Sequence, residues 1–272
     1  MTEQQTSDAI QVVDAAALSQ EAFIDRYLGP RLPVVLRGAI ADWPAVRRWT
    51  PAFFRSEFGA LRIRVDSDDA QAIHEFNLGE YIQFATDGKT AGSRLPYVRN
   101  VWLNETFPAL RGDVGRLPFM TPNWFAMSPL RELIGLVSGP NWQDWLEFFF
   151  SAAGRRFPFV HRDICMTHAW CAQVFGRKRF WAWAPSPLRS GQTVPCGRGD
   201  LASLFPDARP QTGTISAGDL LFVPAGWYHT TESETVSITL SGNFVNASNW
   251  DDFCDSYFRQ RLGQQLAALT RR

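Results

Sequence analysis

From about residue 157 to 247, apolar and polar positions alternate in short runs broken by Gly, Pro and Ser. "AQVFG", "KRFWAWAP", "GTISAGDLLFVPAG", "WYHTTE" and "TVSITLSGNFV" read as strands. The last is the clearest. Val236, Ile238, Leu240 and Phe244 face one way, and Ser237, Thr239, Ser241 and Asn243 the other. Upstream the period changes. "LSQEAFIDRYLGP" predicts a short helix capped by Ser19 and stopped at Gly29-Pro30, and "LPVVLRG" a buried strand. "WTPAFFRSEFG" predicts a second helix, with Thr50 as cap, Pro51 at the first helical position and Gly59 at the end. "LRIRVD" alternates through Leu61, Ile63 and Val65 as a strand; "LGEYIQFATDG" reads as a helix and "LPYVRNVWL" as a strand.

Residues 104 to 150 are irregular and mixed, with a helix expected in "SPLRELIGLV". Residues 1 to about 17 read as a loose lead-in, and the tail from Asn249 as helical. There is no repeat and no linker. The expectation is one domain over 1–272, with α/β elements over about 18–150, a β core over about 151–247 and a helix over about 249–272. That pattern suits a β-sandwich or barrel of jelly-roll type.

Composition narrows the function classes. Of the 272 residues, 45% are hydrophobic, enough for a sizeable core. The 27 basic and 27 acidic residues cancel, so no global field draws nucleic acid or an anionic membrane, although a local basic groove stays open. Eleven Trp and twenty-one Phe point to aromatic core packing. Cys165, Cys171, Cys196 and Cys254 form no C-x-x-C pair, "MTEQQTSDAI" lacks an apolar signal segment, and no stretch approaches about 18 apolar residues. Reduced cysteines, a cytoplasmic location and no membrane partner are therefore expected.

Only four histidines exist, and two fall in "HRDICMTHAW", which begins at His161. A non-haem iron site uses two His and one carboxylate on one face of the metal. On a strand, residues i and i+2 project to the same side, so His161 and Asp163 can address one ion. The third ligand must come from His74, His168 or His229. His229 has the best setting, because "GDLLFVPAGWYHTTES" is a strand, a turn and a second strand that starts at Tyr228-His229. His74 sits in an acidic, loop-like stretch, and His168 lies only five residues beyond Asp163. Taken alone, H-x-D is a common spacing; joined to the downstream segment it is specific.

These segments carry a resemblance. "HRD", "THAWCAQVFGRKRFWAWAP", "GDLLFVPAGWYH" and "SITLSGNF" resemble the jumonji-C, or cupin-8, family of Fe(II)/2-oxoglutarate dioxygenases. "LPVVLRGAIADWPAVRRWTPAFFRSEFG" resembles the family's entry segment, so the likeness runs over roughly residues 20 to 250. It implies an all-β double-stranded β-helix core with flanking helices, and a metal triad of His161, Asp163 and His229. The spacing from Asp163 to Lys178 is similar to that of the branch that hydroxylates protein side chains. Lys178 matches the residue that holds the far carboxylate of 2-oxoglutarate, a sensible place for a fixed cation. Tyr97 matches a tyrosine helping the same carboxylate; Ser241 lies where this branch often has threonine, and Asn243, two residues on, shares its polar strand face, so both are expected beside the cosubstrate. Cys171 departs from the asparagine that relatives often have near the cosubstrate, and the family counterpart of His168 is usually small or polar and not a ligand, which makes His168 a pocket residue or one behind the ligands.

The resemblance thus implies an Fe(II)- and 2-oxoglutarate-dependent hydroxylase releasing succinate and CO2. The expected substrate is a peptide or protein side chain; a free amino acid or other small molecule, or a non-catalytic metal-binding cupin, is the alternative. Nothing resembles a histone-reading module, which turns the reading away from demethylation. A helical stripe of Trp250, Phe253, Cys254, Tyr257, Phe258, Leu262 and Leu266 either packs on the barrel or joins two copies as a homodimer.

Overall fold

The computed structural model describes residues 8–66, 73–87, 95–185, 194–195 and 208–269. In chain order the strands are β1 (Gln11–Asp14), β2 (Val34–Arg37), β3 (Arg62–Asp66), β4 (Ile73–Asn77), β5 (Val98–Trp102), β6 (Glu147–Ser151) and β7 (Phe159–Val160). Then come β8 (His168–Phe175), β9 (Arg177–Trp183), β10 (Val194–Pro195), β11 (Gln211–Ser216), β12 (Leu220–Val223), β13 (Tyr228–Ser233) and β14 (Ser237–Phe244). A seven-stranded sheet runs β1-β2-β12-β8-β14-β6-β5, and a three-stranded sheet runs β11-β9-β13. Ala169, Leu221 and Val223 of the larger sheet meet Phe180, Ala182 and Ile215 of the smaller one in a shared core. This is the double-stranded β-helix expected from the sequence.

The alternation in β14 is realised in space. Ile238, Leu240 and Phe244 enter the main core on the outer face of the large sheet, while Thr239, Ser241 and Asn243 face a cavity between the sheets. β8 does the same, with Trp170, Ala172 and Val174 outward and Ala169 and Cys171 toward the cavity. The N-terminal elements close the outer face. The helix Pro51–Phe58 begins as expected, with Thr50 Oγ1 accepting the Phe53 N–H at 3.1 Å. Its Phe54 is fully buried and packs on Phe148 of β6 with ring centroids 5.0 Å apart. Truncating such a residue to Ala costs about 3–5 kcal/mol.

Several expectations change. The lead-in contains β1, which pairs in parallel with β2 at the sheet edge; four mostly exposed residues carry too short a pattern to announce it. The irregular stretch ends in β6, an interior strand between β14 and β5. Its "EFFFS" is buried on both sides, so the apolar-polar alternation that marks a one-sided strand is missing. The β core therefore does not start at residue 151: β1, β2, β5 and β6 are strands of the large sheet. "GTISAGDLLFVPAG" is two strands in different sheets, β11 and β12, parted at Gly218, whose φ of 97° favours glycine. His74 lies on β4, paired with β3, and not in a loop.

The C-terminal helix is Trp250–Leu269. Phe253 and Tyr257 pack against Phe125, Ile134 and Trp142 of the same chain, and Phe258 remains 56% exposed. Leu262 and Leu266 lie outside the described side chains. Among the described residues, no helix is long and apolar enough to cross a membrane.

Candidate metal centre and cavity

β7 ends at Val160, and His161 continues it by one residue. His161 and His229 exchange backbone hydrogen bonds, N–H to O at 3.0 and 2.8 Å. That antiparallel bridge sets their rings side by side, with centroids 4.4 Å apart. Asp163 lies just beyond the strand but keeps extended angles (φ −60°, ψ 148°), so it stays two residues along on the same side. Its Oδ2 is 3.7 Å from His229 Nε2. One potential ligand atom from each of His161, Asp163 and His229 lies within 4.8 Å of the other two.

The electrostatics suit metal ligation. Burial pulls both imidazoles down to about 4, and at His161 the neighbouring His229 adds to the effect. Both rings are thus neutral at pH 7, as ligands must be. Burial raises the Asp163 carboxyl, while His161 and a hydrogen bond from Asn243 oppose that rise. At His161 the Asp163 charge and a backbone hydrogen bond with Phe159 counter the effect of burial. The donor set, two imidazoles and a carboxylate, fits Fe(II) or Mn(II).

The triad opens on a cavity of about 460 Å³. Lys178, on β9, lines it and is 1% exposed. Its Nζ donates to Tyr97 Oη at 2.5 Å and sits 5.0 Å from the Tyr97 ring centroid and 5.8 Å from that of Phe149. Burial lowers the Lys178 ammonium to about 7, and raises the Tyr97 phenol. The Ser151 and Ser233 hydroxyls bond to each other, and hydrogen bonding from both counters the rise at Tyr97.

The other expected residues are placed differently from one another. Ser241 faces the cavity, but its hydroxyl donates to the Trp170 carbonyl at 2.9 Å and takes a long contact from Cys171 Sγ at 3.7 Å. Asn243 Nδ2 reaches Asp163 Oδ1 at 3.3 Å and Thr167 Oγ1 at 2.6 Å, which puts it beside the triad. His168 is not a pocket residue. It begins β8 on the outer face, among Phe222 and Phe244. Cys171 lines the cavity, and burial lifts its thiol to about 12.

Glu147 was missed. It stands on β6 opposite Ser241, lines the cavity and accepts the Asn100 N–H at 2.7 Å. Burial pushes it up to about 7. Glu147, Phe149 and Ser151 form the cavity-side row of "EFFFS", so the signal was a lone charge in period two at the head of an aromatic run.

The profile of the cupin-like domain family matches residues 19–190. That is more than half of the chain, and the protein belongs to this family. Among curated relatives, human "2-oxoglutarate and iron-dependent oxygenase JMJD4" is 27% identical over 88% of this chain and 62% of its own length. The Arabidopsis thaliana "Lysine-specific demethylase JMJ21" is 25% identical over 87% of this chain and 26% of its length. The Caenorhabditis elegans "Bifunctional arginine demethylase and lysyl-hydroxylase psr-1" is 23% identical over 89% and 62%. The chain thus spans about a quarter to three-fifths of the length of these relatives.

Proposed function

We propose that this protein is an Fe(II)- and 2-oxoglutarate-dependent oxygenase that hydroxylates a C–H of a peptide or protein side chain, releasing succinate and CO2. The observation that carries the reading is one cavity with a His-Asp-His cluster on its wall and a fully buried cation, Lys178, on the same wall set. A binding-only cupin has no use for both, and a zinc hydrolase has none for the lysine. The relatives' names, as oxygenase, demethylase and hydroxylase, support the same chemistry.

In this reading His161, Asp163 and His229 hold the metal and Lys178 pairs with the far carboxylate of 2-oxoglutarate. Tyr97 supports Lys178 through its hydroxyl. Asn243 turns the Asp163 carboxylate toward the two rings. Ser241 contributes shape, since its proton is engaged by the Trp170 carbonyl. Iron bound there supplies the oxygen activation that attack on an unactivated C–H requires. The sheets and the aromatic wall of Phe149, Phe157 and Phe159 keep bulk water from the reacting atoms. About 460 Å³ suffices for the cosubstrate and one side chain or small molecule.

A cytoplasmic location fits the free thiols of Cys165, Cys171 and Cys254. Homodimerisation through the C-terminal helix fits the exposure of Phe258. The test of the function is succinate formation by the iron-loaded protein, screened over peptide pools and free amino acids. Peptide-stimulated succinate that vanishes in Asp163→Ala supports the reading. Metal binding with no 2-oxoglutarate turnover on any substrate leaves a binding-only cupin.

A further inference from the structure

On the reading just given, the cavity holds a dicarboxylate whose far end pairs with Lys178 and whose keto-acid end lies on the metal side. The wall carries a second buried cation. Arg99, on β5, is 7% exposed and lines the same cavity. Tyr97 and Arg99 are two residues apart on extended chain, and both face the cavity. Tyr97 marks the Lys178 end. Arg99 marks the triad end: its guanidinium carbon lies 5.4 Å from the centroid of Phe159, two residues before His161.

The backbone there is built for this. β5 pairs Val98 with Phe150 and Val101 with Phe148, so three steps on β5 match two on β6. The extra residue is a bulge with Asn100 at φ 58°, and the Asn100 N–H left out of the ladder is taken by Glu147 Oε1 at 2.7 Å. Bulges re-aim side chains beside sites. This one lets Arg99 and Asn100, neighbours that regular alternation sends to opposite faces, both line the cavity.

We propose that Arg99 is a second carboxylate anchor, holding the keto-acid end of 2-oxoglutarate at the metal side while Lys178 holds the far end. A planar guanidinium presents paired donors to a carboxylate whose other atoms remain free for the metal. A carboxylate of the primary substrate offers the same chemistry, and the test separates the two sources.

The experiment is calorimetric titration of the Mn(II)-loaded protein with 2-oxoglutarate and with 2-oxopentanoate, which keeps the keto-acid end and lacks the far carboxylate. Arg99→Gln should weaken both ligands by roughly ten- to a hundredfold. Lys178→Ala should weaken 2-oxoglutarate alone. Arg99→Lys keeps the charge without the fork and should weaken both keto acids by a smaller factor; it also serves if Arg99→Gln fails to fold, as judged by thermal unfolding and Mn(II) binding. Unchanged keto-acid affinity in the folded Arg99 variants overturns the proposal. If they instead lose binding of N-acetyl-L-aspartate to the cosubstrate-loaded protein, the anchor belongs to the primary substrate. If wild type binds Mn(II) but no 2-oxoglutarate, the functional reading itself falls, and this inference with it.

Discussion

His168 and His229 are buried imidazoles and His161 is a half-buried one, with His168 on the opposite face of the barrel wall from the other two. At His168, Nδ1 accepts the Ala225 N–H at 2.9 Å and Nε2 pairs with Ser248 Oγ at 2.8 Å. Both ring nitrogens are engaged, in the one tautomer those partners allow. At the cavity, His229 Nδ1 contacts the Trp227 carbonyl at 3.4 Å and the His161 ring bonds to the Phe159 backbone, and among the described residues neither ring has a second hydrogen-bond partner. Burial lowers all three, His168 to about 3 and the pair to about 4, so a low pKa does not separate them. Hydrogen-bond completeness does. A structural histidine is satisfied by the chain, whereas a ligand-type histidine keeps a lone pair for something the chain does not supply.

The strongest way to break this contrast is Asp163→Ala. Mn(II) binding and succinate formation should both be abolished, with the fold retained by circular dichroism; metal bound in the variant at wild-type stoichiometry refutes the triad. His168→Ala should behave in reverse. It leaves the Ala225 N–H unpaired and a gap beside Phe222 and Phe244, which should cost about 2–4 kcal/mol in urea unfolding. One Mn(II) per chain should still bind, and a loss of metal without a loss of stability would move His168 into the site.

Lys178→Ala should leave metal binding intact and weaken 2-oxoglutarate by about 1.5–3 kcal/mol. Lys178→Arg should not restore it, since a fork needs a differently shaped pocket. Equal affinities for wild type and alanine variant would make the lysine a packing residue.

The same group sets a pH dependence. Burial lowers Lys178 from 10.5 to about 7 in the ligand-free fold. Between those values the unfolded chain holds a proton that the fold does not, so Lys178 makes ligand-free stability fall as pH drops through that window. Cosubstrate binding needs the ammonium and should take up a proton. Affinity for 2-oxoglutarate should therefore decline as pH rises from 7 to 9, and calorimetry in buffers of different ionisation enthalpy should detect the uptake. A flat profile would show a lysine already charged before the ligand arrives. The smallest effect is expected on the surface. Phe258→Ser should leave metal and cosubstrate affinity unchanged and shift a homodimer toward monomer in light scattering. Wild type that is monomeric at high concentration rules the dimer out.

Where periodicity was unambiguous, the residues alone were sufficient. β14 alternates over eight residues and occupies both faces as read, because a strand's side-chain period is set by its own backbone. Ser19 and Thr50 cap their helices for the same local reason. His161, Asp163 and His229 could be nominated together because strand spacing links the first two and a motif marks the third.

What remained hidden was non-local. β1 and β6 are strands because β2, β5 and β14 pair with them, and "EFFFS" carries no alternation to say so once both its faces are covered. His168 and His161 look alike in "HRDICMTHAW"; the irregular turn between β7 and β8, with Cys165 and Met166 at positive φ, sends them to opposite faces. Asn100 became a cavity residue beside Arg99 through a bulge whose existence depends on the register between two strands some fifty residues apart in sequence. Local geometry determined which residues can share a face. Only strand pairing, closing loops across the whole chain, decided which face became the core and which the cavity.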